Sequence, residues 1–255
     1  MGIQLFNRVG RKLVPTPEGQ TLHRRFREYQ AGLQSLLSDL VDADAAVRGL
    51  VRLGLSLGVP RVRIAQFLGD FGKRHPETTL RVFYGAHDDL NARLLDGRAD
   101  FVFSFGPEGE ALGRIASKKL FAQELVLVSG RKWWTPGFDL EQLREVPIID
   151  YYQSAPLIQR WIQHHYRRKP PKLDVRIWAA TTDLALELIL KGGGVCVLPR
   201  NIVTPYLRNG RLRIVETGRS EVIDFIWLKE LSKAYRGRAL AAFRQAALED
   251  LAEES

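Results

Sequence analysis

A chain of 255 residues, 45% hydrophobic, is long enough for more than one domain and has an ordinary globular composition. No stretch reaches the roughly eighteen uninterrupted apolar residues of a membrane span, and Met1 to Leu22 carries Arg8, Arg11 and Lys12 where a secretion signal needs an apolar core. One cysteine, Cys196, rules out an internal disulfide or a multi-cysteine metal site, so a cytoplasmic chain without metal or cofactor is expected, and the net charge of +9 favours acidic partners such as nucleic acid.

In chain order, Leu5-Phe6-Asn7-Arg8 and Arg11-Lys12-Leu13-Val14 flank Val9-Gly10 and predict a small β-hairpin, with Leu5, Phe6, Leu13 and Val14 as its apolar contacts. Two strands are marginal in water and must rest on another surface. Thr16-Pro17-Glu18 then starts a helix: a hydroxyl cap, proline at the first helical position, and an acid at the positive end of the dipole. The helix is predicted to run to about Arg48. Leu22, Phe26, Tyr29, Leu33, Leu36 and Leu40 recur at alternating spacings of four and three, with Ala43 and Val47 continuing the series. A seam of about four heptads makes a helix seek a partner. Its basic end is its start: six Lys or Arg and one acid, Glu18, precede Glu28, whereas Glu28 to Ala46 has four acids and no Lys or Arg.

The period changes after Gly49. Leu50–Leu57 reads as a strand, Gly58-Val59-Pro60 as a strand-to-helix turn, and Ile64, Phe67, Leu68 and Phe71 as a helix that His75-Pro76 stops. Strand Thr79–Tyr84, helix His87–Asp96 and strand Ala99–Phe105 follow, which argues for a mostly parallel sheet with helices on its faces. Beyond them come an apolar run at Leu120–Ser129, a short helix around Leu143, a buried strand at Val146–Tyr151 and a helix at Leu157–Tyr166. Strand Asp174–Ala179 leads into a helix capped by Thr181-Thr182-Asp183, and Gly192-Gly193-Gly194 turns into strand Val195–Leu198, closed by Pro199. Strands Leu212–Glu216 and Val222–Leu228 and a helix at Arg236–Leu251 complete an α/β pattern of two subdomains crossed twice by the chain.

The opening segment, with Gly2, Leu5, Phe6, Arg8, Arg11, Thr16 and Gly19 in the order Gly-x-x-Leu-Phe-x-Arg-x-x-Arg-x-x-x-x-Thr-x-x-Gly, resembles the wing and linker-helix start of the LysR-type transcriptional regulators. Gly-Gly-Gly-Val-Cys-Val-Leu-Pro at 192–199 resembles that family's second-lobe segment. The resemblance implies a periplasmic-binding-protein-like, two-lobed α/β regulatory domain behind a linker helix. It assigns 1–15 to a remnant wing of a winged helix-turn-helix, 16–48 to the linker and dimerisation helix, and 49–255 to the effector domain. Lobe I is expected at about 49–123 and 219–255, and lobe II at about 124–218. Family members carry roughly forty or more residues before this point, including most of the recognition helix. The expectation is therefore a regulator truncated by natural deletion, a missed start codon or a cut, with DNA binding impaired.

As wing residues Arg8, Arg11 and Lys12 would contact DNA phosphates, which position a protein without reading sequence. Leu22, Phe26, Tyr29, Leu33, Leu36, Leu40 and Val47 would join a homodimer or homotetramer. A small-molecule effector would sit between the lobes, at the carboxyl ends of strands: Ser56, Gly58, Val59, Phe103, Phe105, Tyr151, Tyr152, Thr181 and Thr182. The aromatic members point to an apolar or aromatic effector. Thr181 and Thr182 equally read as helix caps, His164-His165 as a surface pair, and Cys196 as an inert core thiol. No nucleophile, base and orienting group can be assembled, so an enzyme is not expected. The alternative to a DNA-binding regulator is an oligomeric small-molecule-binding or interaction module with no DNA function of its own.

Overall fold

The computed structural model describes residues 3–10, 12–23, 26–27, 30, 33, 46–106, 113–133, 140–151, 157–168, 173–232 and 237–252. Strands β1 (Phe6–Val9) and β2 (Lys12–Pro15) pair antiparallel, Phe6 opposite Pro15 and Val9 opposite Lys12. Gly10 turns the hairpin at φ 63°. The helix α1 begins at 17 and is helical at 17–23, 26–27, 30 and 33. Thr16 is its cap: the Oγ1 accepts the Gly19 N–H at 3.0 Å and donates to the Gln4 carbonyl at 2.8 Å. The Thr16 N–H reaches Leu5 O at 2.9 Å, so one residue ties hairpin to helix. Gly19 is required there, because a Cβ would stand 2.0 Å from the Leu5 carbonyl oxygen.

The hairpin's apolar residues Phe6, Leu13 and Val14 are all exposed. Two strands of four residues have no inner face to hide a side chain in. Val47 is not a helical seam residue. It lies in the extended segment leading to β3, where its carbonyl accepts the Thr78 hydroxyl at 2.8 Å.

The chain divides into two compact units, Met1–Leu120 with Trp227–Ser255, and Phe121–Ile226. In the first, β3 (Gly49–Ser56) pairs parallel with β4 (Thr78–Gly85) on one side and β5 (Phe101–Phe105) on the other. Helices α2 (Arg61–Arg74), α3 (His87–Leu95) and α7 (Arg238–Asp250) cover the sheet. The faces are set by the period of two along the strands. One face gathers Phe67, Phe71, Phe101 and Phe103 around Phe243 of α7, with ring centroids 5.1–6.4 Å from it. The other packs Val102 with Leu90 and Leu94 of α3. Arg52, on β3, is clamped by Asp100, its Nε 2.9 Å from Oδ2 and an Nη 2.5 Å from Oδ1, and by the Gly97 carbonyl.

In the second unit β9 (Val195–Pro199) pairs antiparallel with β6 (Ile115–Gly130) and parallel with β7 (Ile148–Asp150). β7 pairs parallel with β8 (Val175–Trp178), and β10 (Leu212–Ile214) pairs antiparallel with β6. Leu125 and Leu127 face α4 (Leu157–Tyr166), where Ile158, Trp161 and Ile162 are buried. Val126 and Val128 face α5 (Thr182–Leu190) and α6 (Arg200–Arg208). That two-sided burial explains why Leu125-Val126-Leu127-Val128 has no polar alternation. Gly194, at φ 141°, lies where a Cβ would come within 2.0 Å of the Pro147 carbonyl oxygen, so the glycine run also admits a close backbone approach.

The chain passes between the units inside β6 and inside β11 (Val222–Leu231), at 120/121 and 226/227. Helix α6 is absent from the sequence reading. Pro199 and Pro205 look like breakers there, yet Pro199 serves as the residue before the helix and only Pro205 interrupts the hydrogen-bond ladder. No helix among the described residues is long and apolar enough to cross a membrane.

Candidate functional site

The strand-end turns separate into residues that solvent reaches and residues that serve the core. In the first unit β3 ends at Ser56, whose carbonyl accepts the Val59 N–H at 3.1 Å, and α2 starts at Arg61. The α2 start has no side-chain cap and no acid in its first turn. Its leading N–H groups thus form a positive helix end with nothing from its own capping residue against it. Ser56 and Val59 are buried and Gly58 is half-buried. Phe103 is not a candidate contact: it is fully buried in the aromatic core, because its position on β5 points it at Phe67 and Phe243. Phe105, at the strand's end, is half-buried.

In the second unit β8 runs into α5. Thr181 is the N-cap, its Oγ1 accepting the Leu184 N–H at 3.2 Å. Its hydroxyl is therefore committed to the helix, and the Thr182 hydroxyl is the one left half-exposed. Tyr151 is half-buried at the end of β7, its phenol oxygen accepting from the Cys196 thiol at 3.4 Å. Burial pushes that thiol well above its ordinary range. Cys196 stays protonated. Tyr152 and Arg11 lie outside the described residues. Of the wing cations Arg8 is exposed on β1, and Lys12 begins β2.

Asp150 carries more weight than the sequence indicated. It is 1% exposed, and its Oδ1 accepts the N–H groups of Tyr151 at 2.8 Å and Leu157 at 3.1 Å, while Oδ2 accepts that of Ile158 at 3.0 Å. The carboxylate thus caps α4 from the end of the neighbouring strand. Burial raises its pKa above the ordinary value, against the three backbone donors. No short-range spacing could have exposed this role, since the capped N–H groups lie seven and eight residues on.

His164-His165 is not a surface pair. His164 is exposed with its Nε2 2.9 Å from Ser220 O, but His165 is 4% exposed, stacked on Trp161 at 4.2 Å and 2.5 Å from the Thr217 hydroxyl. Adjacent helical residues point in different directions, and α4 turns the second of them into the core. Burial, then the charges of His164 and Arg219, lower its pKa to about 4. The unfolded chain takes this proton near pH 6.5 and the folded chain only near 4. Stability is therefore lost as pH falls across that window, by up to about 1.4 kcal/mol per unit. Urea melts of wild type and His165→Gln between pH 7 and 4 check this: the wild-type slope flattens in the variant.

A groove of about 630 Å³ lies beside α4, lined by Glu124, Arg160, His164, Ser220, Glu221 and Ile223 among others. Its charges satisfy one another. Arg200 reaches Glu124 at 2.5 Å and Glu221 at 2.8 Å, and Arg160 reaches Asp224 at 2.8 Å. A charged ligand would have to displace a partner there. Among the described residues no group of His, Cys, Asp or Glu could hold a metal ion.

Two α/β units with helix starts at the carboxyl ends of parallel strands, preceded by an exposed hairpin and helix, have the organisation of a ligand-responsive regulator. The family model for the LysR substrate binding domain matches residues 44–252, and the chain belongs to the LysR family of transcriptional regulators. It is 23% identical over 248 residues to the uncharacterized HTH-type transcriptional regulator YeiE of Escherichia coli K12, covering 92% of this chain and 80% of that one. It is 25% identical over 266 residues to a probable hydrogen peroxide-inducible genes activator of Streptomyces viridosporus, covering 98% and 82%. A full-length OxyR variant of Pseudomonas aeruginosa shares the fold with a TM-score of 0.71 at 14% identity, covering 96% of this chain and 82% of that one. The protein is a transcriptional regulator of a non-enzymatic family whose members bind DNA and small-molecule effectors and are oligomeric.

Proposed function

We propose that this regulator acts in the cytoplasm as a homodimer or homotetramer, and that a small effector bound at the strand-end turns changes how it sits on DNA. The observation that carries this reading is that each unit, taken by itself, has a helix start at the end of a parallel strand. In one unit β3 leads through Ser56, Gly58 and Val59 to the uncapped α2, and in the other β8 leads through Thr181 to α5. The positive end of a helix start suits a carboxylate. Phe105, Tyr151 and Tyr152 supply apolar and aromatic surface, and the Thr182 hydroxyl a directional hydrogen bond. Within the second unit by itself, these features suit an aromatic or apolar carboxylic acid. Arg8, Arg11 and Lys12 would hold DNA phosphates.

Thermal-shift measurements with a panel of aromatic and aliphatic carboxylates test the site. A ligand at a hundred times its Kd stabilises the fold by about 2.7 kcal/mol, which is roughly 5–10 °C for a chain of this size. Thr182→Val should leave the unliganded melting temperature unchanged and remove most of the shift. Equal shifts in wild type and Thr182→Val would place the ligand elsewhere.

A further inference from the structure

Three loops meet at one end of the second unit. The Trp133 Nε1 donates to Gly192 O at 2.7 Å, and the Arg131 Nε donates to Gly210 O at 2.9 Å, which joins 130–133, 191–194 and 209–211. These loops and the helix ends behind them carry Arg131, Lys132, Lys191, Arg208 and Arg211, all exposed. No Asp or Glu occurs in 130–133, 188–194 or 205–214. None of the five forms an ion pair with a carboxylate among the described residues. Arg131 rests on a carbonyl, Lys132 lies over the Trp133 ring at 4.7 Å, and Arg211 lies over the Tyr206 ring at 5.4 Å. Partners of this kind hold a cation in place without neutralising it.

The bland explanation is service to helix dipoles, because α5 and α6 both end here. Each helix end amounts to about half a negative charge, so two of them offset roughly one of the five cations. About four positive charges remain on one face, spread over three rigid loops. Five like charges held this close destabilise the fold by mutual repulsion unless a polyanion meets them.

We propose that this end of the second unit is an accessory surface for the phosphate backbone of duplex DNA, separate from the wing. A DNA-binding regulator already holds duplex near its own surface, and an array of unneutralised Arg and Lys suits phosphates without reading bases. The contact would add affinity and salt dependence but no sequence preference. It requires neither the effector site nor the wing residues.

The test measures binding of the full chain to a fluorescein-labelled duplex of arbitrary sequence by anisotropy, across a salt series. Arg8→Gln/Arg11→Gln/Lys12→Gln serves as the background, so that the wing does not contribute. Adding Arg131→Gln/Lys132→Gln/Arg211→Gln should weaken binding at least tenfold at low salt. It should also reduce the slope of log K against log salt by about 2–3, at roughly 0.9 per phosphate lost. A control with the same loss of charge elsewhere in the unit, Arg144→Gln/Arg176→Gln/Arg219→Gln, should change the slope by less than one. Melting temperatures report folding. If the triple variant melts early, Lys191→Gln/Arg208→Gln replaces it, with an expected slope loss of about 2. Unchanged binding in the loop variants overturns the proposal, as does an equal loss in the control. So does binding to phosphatidylglycerol vesicles with none to duplex.

Discussion

Phe26→Glu/Leu33→Glu is expected to convert the protein from an oligomer to a chain of 28.9 kDa by multi-angle light scattering. Leu22, Phe26 and Leu33 are 53%, 59% and 58% exposed on α1, although their spacings of four and seven put them on one seam. Nothing among the described residues covers them. Burying each against a second copy would contribute about 1.5–3 kcal/mol, and a seam of such residues on two helices supplies most of what a micromolar dimer needs. A glutamate at either position puts a carboxylate into an apolar seam, so the substitution removes apolar burial and adds the cost of desolvating a charge. Phe26→Leu/Leu33→Ile keeps the seam apolar and should keep the wild-type mass. Circular dichroism should show both variants folded, because these positions are exposed in the single chain. A wild type that already runs as a monomer at micromolar concentration would end the case for α1 as the oligomerising helix.

What the sequence made legible depended on how local the physics was. The cap at Thr16 follows from a hydroxyl, a proline and an acid in three consecutive positions, and the structure shows its two hydrogen bonds. Helix α4 was legible to the residue, because Ile158, Trp161 and Ile162 mark one face between a proline-broken loop and a buried strand. Alternation of strand and helix gave the fold class for the same reason. Where distant segments decide, the reading failed. The first five residues of β6, Ile115–Lys119, carry two lysines and no apolar run, so their own composition does not announce a strand. The passage between units falls within continuous strands, which have no turn residues to announce a boundary, so expected limits at 123/124 and 218/219 stood beside observed ones at 120/121 and 226/227. Phe103 and His165 share one cause. Each was placed by its neighbours in sequence, one at a strand end and one in a polar pair, whereas an α7 phenylalanine and a threonine 52 residues away bury them.

Asp150→Ala should cost about 3 kcal/mol in urea unfolding, a large share of the 5–15 kcal/mol typical of a domain. The side chain accepts three backbone N–H groups, and hydrogen bonds to a charged acceptor contribute about 1.5–3 kcal/mol each. Part of that sum is offset by the desolvation of the carboxylate, the same burial that raises its pKa. Alanine removes the acceptors and leaves the first N–H groups of α4 facing a void. Asp150→Asn is the sharper probe. One amide oxygen can still receive Tyr151 and Leu157, but the amide nitrogen then confronts the Ile158 N–H, donor against donor, so roughly half the loss should remain. The pH dependence separates this residue from His165. A carboxyl whose folded pKa is raised carries a charge-burial penalty that is full above that pKa and relieved as pH falls towards 3.8. Asp150 therefore cannot cause acid destabilisation, whereas His165, lowered to about 4, produces it below 6.5. Asp150→Ala should sit lower at every pH and fall at least as steeply as wild type between pH 6.5 and 4, because the relief at Asp150 is gone, whereas His165→Gln should lose the fall that His165 causes. An Asp150→Ala chain within about 0.5 kcal/mol of wild type, the scatter of ordinary surface substitutions, would mean that the α4 start finds other acceptors and that the strand-end carboxylate is not what holds it.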